Sequence, residues 1–214
     1  MRAHPYSRAV DWEAVVERQR ARYEEVELPV LLGNAAYGAG LALLMLGRDP
    51  EARDWLERAE AGWRESWAAA TPTSWGRPIG VMKALLLAGD DAGALDAAEW
   101  ALSLGSEDAE SPIGRYAAAL ALLVLERWAD ARHQAISIQE REDFPPAVAD
   151  ALAFIAGNDP VAYTEAVEAV LASFEQRDAY LEDVAVADTV MVLQLLAASR
   201  GIAAELGSSP LLPA

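Results

Sequence analysis

One turn recurs along this chain, and it restricts the possible folds more than any other feature. Helix-forming runs stop, reverse and restart at GRDPEA (Gly47 to Ala52), GDDAGA (Gly89 to Ala94) and GNDPVA (Gly157 to Ala162). A degraded copy reads ERWADA (Glu126 to Ala131). Glycine takes the left-handed conformation that closes a helix. Aspartate accepts hydrogen bonds from the first free amides of the next helix. Proline suits the first helical turn, where its missing N–H costs nothing. The pattern predicts positive φ at Gly47 and Gly157. It predicts capping by Asp49, by Asp91 after Gly89, and by Asp159. A chain punctuated this way is a series of helical hairpins.

Apolar stripes at helical spacing follow the turns: Ala52, Trp55, Leu56, Ala59 and Trp63 after the first, and Ala162, Ala166, Val167, Val170 and Phe174 after the last. A first helix is expected over Trp12 to Val26, capped by Asp11 and ended by Pro29. A second, over Leu31 to Leu46, is apolar almost all round and should lie between neighbours. Its Gly33 and Gly40 permit close backbone approach. Loops are expected at Ala70 to Pro78, Gly105 to Pro112 and Asp143 to Pro146. A last helix is expected over Val186 to Arg200. The fold class is all-α, with about ten helices and no strand. Residues 1–206 read as one helical-hairpin domain and 207–214 as a short C-terminal tail.

The hairpins resemble degenerate tetratricopeptide repeats. Gly40, Gly47, Ala52, Leu56 and Ala59 follow that family's order of small residues, and Gly89, Ala94, Ala98 and Ala101 follow its second half. Gly47, Gly89, Glu126 and Gly157 stand 42, 37 and 31 residues apart, whereas the family keeps a period of about 34. The resemblance implies an α-solenoid or a compact array of hairpins and carries over no functional residue.

Composition narrows the function classes. Acidic residues number 34 against 17 basic, for a formal net charge of −17. Such a surface repels nucleic-acid phosphates and anionic lipid and attracts a basic partner. It also suits solubility or a saline cytoplasm. Cysteine is absent, which is compatible with a reducing cytoplasm and leaves no thiol chemistry. The opening MRAHPYSRAVDW has no apolar run, so no secretory signal is expected there. The apolar stretch near Leu28 to Leu46 is broken by Pro29, Gly33, Asn34, Gly38 and Gly40, so no membrane span is expected. Lys83 is the single lysine.

No catalytic, metal or cofactor motif is present. His4 and His133 are the only histidines, and HExxH, GxSxG and phosphate-loop patterns are missing. Two groups of residues stand out. Trp67, Trp75 and Arg77 are residue types favoured as interface anchors, with core packing as the alternative for the tryptophans. Arg177, Tyr180, Glu182, Asp183 and Asp188 form a polar cluster before the last helix. That cluster is either a cation or small-ligand site, or local pairing and helix capping.

Size, helical content, acidity and this arginine-tyrosine-acid stretch resemble the all-helical immunity proteins of bacterial polymorphic toxin systems. The resemblance implies a non-catalytic cytoplasmic protein that covers a basic toxin. A small-molecule binder or enzyme with a pocket at Arg177, Tyr180 and Asp183 is the alternative, and a tetratricopeptide-like scaffold is a third. All but the pocket reading expect a protein partner, and the charge argues against nucleic acid under every reading. Neither DNA nor RNA should therefore be retained in a mobility-shift assay at micromolar protein in about 150 mM salt, and retention would contradict the charge argument.

Overall fold

Turn chemistry and helix periodicity produce the architecture directly. The structure is a computed structural model that describes residues 10–139 and 141–214; His4 lies outside them. Among the described residues there are ten α-helices and no strand. They are α1 (Trp12–Glu25), α2 (Pro29–Met45), α3 (Asp49–Ser66), α4 (Gly76–Ala88), α5 (Asp91–Ser103), α6 (Pro112–Val124), α7 (Trp128–Gln139), α8 (Pro146–Gly157), α9 (Pro160–Glu175) and α10 (Asp188–Ser199). None is long and apolar enough to cross a membrane.

Four hairpins, α2–α3, α4–α5, α6–α7 and α8–α9, stack in chain order, and α1 packs on α2. The first helix of each hairpin is buried on nearly every side, as Ala35 to Leu43 in α2 and Tyr116 to Leu123 in α6 show. The second helices cover one side of that layer. The opposite side is covered by the end of the chain. Val184 to Ala187 are buried, and α10 packs on α4, α8 and α9. Within 207–214, Leu211 is buried and its carbonyl accepts the Ala187 N–H at 2.9 Å.

Pro29, expected to interrupt a helix, instead opens α2 at its first position. The glycines of α2 and α3 explain their close contact. A Cβ on Gly33 would sit 2.6 Å from Trp63 Cδ1, and one on Gly62 would sit 2.8 Å from the Pro29 carbonyl.

All four turns share one geometry, including the degraded copy. The left-handed residue is Gly47, Gly89, Glu126 or Asn158. The N–H of the following residue, Arg48, Asp90, Arg127 or Asp159, reaches back to Leu43, Leu85, Leu122 or Phe154 O at 2.8–3.0 Å. This is the bond pattern that satisfies helix-end carbonyls.

The common geometry corrects the register of the capping assignments. Gly157 is the last residue of α8, and Asn158 takes the positive φ of 56° in its place. Asn tolerates that region, so α8 runs one residue further than the alignment with GRDPEA implies. Asp159 then caps α9, accepting the Ala162 N–H at 3.1 Å. Asp49 and Asp91 are first helical residues rather than caps. Arg48 occupies the cap position before Asp49 without a side-chain capping bond. Asp90 caps α5 by accepting the Gly93 N–H at 2.9 Å. Asp11 caps α1 as expected, and Ser111 caps α6.

Glu126 is the only one of the four left-handed positions filled by neither Gly nor Asn, with φ 57°. Glu126→Gly should therefore raise stability by about 0.5–1 kcal/mol. Asp90→Ala and Asp159→Ala should each lower it by about 1 kcal/mol, while Asp49→Ala and Asp91→Ala stay near wild type. Urea midpoints of the five variants measure this, and a loss at Asp49 equal to that at Asp159 would contradict the register.

Candidate functional site

Two regions concentrate chemistry: an acidic outer face on α3 and α5, and a polar centre where α2, α4 and α10 meet.

The outer face follows from the amphipathic pattern of the second hairpin helices. Their apolar stripes turn inward, which leaves Asp54, Glu57 and Glu65 of α3 and Asp91, Asp96 and Glu99 of α5 exposed. Arg64 ties the two helices together. Its Nη2 lies 3.1 Å from Asp96 Oδ2, and its guanidinium stacks 4.7 Å from the Trp100 ring. The other five carboxylates make no ion pair among the described residues. Trp67, in a short 3-10 turn after α3, is half-buried beside Trp100, with ring centroids 5.9 Å apart. That position leaves it partly available as an anchor. Trp75 is 6% exposed and its centroid lies 6.1 Å from that of Trp67. It is a core residue at the start of α4 and is corrected from anchor to support. Arg77 is half-buried and turns toward the polar centre rather than the acidic face.

The cluster read before the last helix is taken apart by the fold. Arg177 stacks over Phe174, 3.6 Å from its centroid, and the Tyr180 hydroxyl donates to the Phe174 carbonyl. Glu182 faces Arg22 at 3.9 Å, and its carbonyl accepts from Gln19. The Asp183 carbonyl accepts from Arg18. Arg177 and Tyr180 therefore share Phe174, whereas Asp183 closes on Arg18. Among the described residues no group of three or more His, Asp or Glu side chains can hold a metal ion. His133 is exposed on α7.

Asp188 goes elsewhere. It is the first residue of α10 and points into the layer of buried helices. Lys83 Nζ of α4 lies 2.5 Å from its Oδ2 and donates to Thr189 Oγ1 at 3.0 Å. The Tyr37 hydroxyl of α2 donates to the same Oδ2 at 2.8 Å, and the Thr189 N–H donates to Oδ1 at 2.7 Å. The two charged side chains are 11% and 17% exposed. Burial pushes the Asp188 carboxyl up, but Lys83, Tyr37 and the Thr189 amide overcome it and hold the carboxyl below the usual carboxylate range. Burial and the neighbouring Asp188 charge push the Tyr37 hydroxyl well up, so it remains a donor.

Sequence reasoning missed Tyr37, Lys83 and Thr189. The signal for Lys83 was present: a lone lysine inside the apolar run VMKALLL requires a buried acid partner.

Removing one partner leaves an uncompensated buried charge, so Lys83→Met should cost about 3 kcal/mol. The double variant Lys83→Met/Asp188→Asn should cost less than the sum of the singles, as a double-mutant cycle in urea will show. The folded carboxyl titrates below the unfolded value of about 3.9. Its stabilisation is thus complete above that pH and lost as pH falls toward the folded value, and the Asp188→Asn variant should lack this part of the acid dependence. Strict additivity of the two substitutions would show the pair to be uncoupled.

No family model, curated protein or solved structure matches this chain.

Proposed function

We propose that this chain is a non-catalytic interaction module that meets a basic protein through the acidic face of α3 and α5. The observation that carries the reading is the set of carboxylates on two adjacent helices, five of them without an ion pair among the described residues, beside the half-buried Trp67. Complementary charge speeds encounter and suppresses wrong partners. A half-buried tryptophan at the end of such a face supplies apolar contact where charge alone gives little affinity. The most specific form of the reading is immunity, in which the acidic face covers the basic nucleic-acid site of a toxin. A tetratricopeptide-like scaffold uses the same surface without neutralising its partner.

The test is capture of a partner from the native host, followed by kinetics with the purified pair. The expected partner is basic, and its association rate should fall about tenfold or more as salt rises from low to high ionic strength. Reversing Glu57, Asp96 and Glu99 to lysine should slow association further, and Trp67→Ala should speed dissociation by about tenfold. A partner of acidic or neutral charge, or a rate unaffected by salt and by the reversal, would overturn the reading.

A further inference from the structure

A cleft of about 430 Å³ opens between α2 and α4, beside the polar centre, within the size range of small-molecule sites. Its wall is rigid. Trp63 is wedged between Gly33 and Gly80, where added Cβ atoms would approach its ring to 2.6 and 2.7 Å. Val30 and Ile79 continue the apolar surface, and Leu181 stands at the rim, 53% exposed.

The polar atoms of the cleft are biased toward donation. Asp188 is occupied by Lys83 and Tyr37. Asn34 Oδ1 accepts the Trp63 indole N–H at 2.9 Å, which orients the amide and leaves its N–H groups without an acceptor among the described residues. Arg77 makes no side-chain hydrogen bond or ion pair among the described residues, and its Nε is buried without a partner. A buried donor left this way carries a cost that a ligand acceptor removes. Lys83 and Asp188 cancel, so Arg77 leaves the cleft with one positive charge inside a chain of net charge −17. The N-terminal end of α4, beginning at Gly76, adds partial positive charge at the same place.

We propose that this cleft binds a small organic carboxylate. The carboxylate pairs with the Arg77 guanidinium, whose planar fork matches it, and accepts from the Asn34 amide. The apolar body lies against Trp63, Val30 and Leu181. A dianionic phosphate fits poorly, because Asp188 lines the same cleft as Arg77 and the walls are apolar. The proposal uses neither the acidic face nor its partner, and stands or falls separately.

Isothermal titration of the full chain with phenylacetate and hexanoate tests it, with phenylacetamide, hexanamide and inorganic phosphate as matched probes. At least one carboxylate should bind with Kd of about 1 mM or tighter. Its amide should bind about tenfold weaker or worse, and phosphate no better than the amide. Arg77→Gln, at a half-buried position, should weaken the carboxylate about tenfold while keeping the wild-type circular dichroism spectrum. Arg53→Gln, on the outer face of α3, should change nothing. The Trp63 indole N–H resonance should shift on saturation. Absence of carboxylate binding up to about 10 mM, equal affinity for acid and amide, preference for phosphate, or indifference to Arg77→Gln would each overturn the proposal.

Discussion

Burial of α2, α4, α6 and α8 on both sides is the constraint on which the rest of this structure depends. These helices carry no polar stripe, so covering one side with the hairpin partners α3, α5, α7 and α9 is insufficient. An apolar side facing water would forgo roughly 25 cal/mol for every Å² left exposed. The buried run Val184 to Ala187 and helix α10 supply the second cover. Bringing in α10 also brings in Asp188, whose charge is tolerable there because Lys83, Tyr37 and Thr189 surround it. The polar centre is thus the consequence of closing an apolar layer with the beginning of a helix.

The turns were legible because glycine, aspartate and proline have local conformational roles, and local roles survive in any tertiary setting. Their register was not, because the copies spell one geometry with different letters. GRDP places the left-handed residue at Gly47, GNDP places it at Asn158, and GDDA offers two adjacent aspartates of which only Asp90 is in reach of the amides. The degraded copy ERWADA keeps the same geometry with Glu126 in the left-handed position. In each case a one-residue choice depends on where the preceding helix runs out of packing, which no short motif records.

Legibility of the sites divides along the same line. The acidic exterior follows from composition and helix periodicity alone. The inward turn of Asp188 does not, since its partners Tyr37 and Lys83 lie 151 and 105 positions away along the chain (188 − 37 and 188 − 83). Proximity in sequence grouped Asp188 with Glu182 and Asp183, whereas the start of α10 turns it toward Lys83 and Tyr37. Arg77 was visible as a residue type suited to recognition, but its direction was set by α4. That direction separates an acidic outside from a cleft that Arg77 makes locally positive.

The position of α10 has a consequence for how the protein is made. Synthesis delivers the chain from its N-terminus, and the hairpins α2–α3 to α8–α9 emerge and pair through contacts close in sequence. Their unpaired apolar side stays open until the residues after Asp183 have left the ribosome. Throughout that interval the nascent array displays a continuous apolar strip, which is the kind of surface that chaperones hold and that incomplete chains use to aggregate. The covering helix therefore sets the moment at which this apolar side is closed.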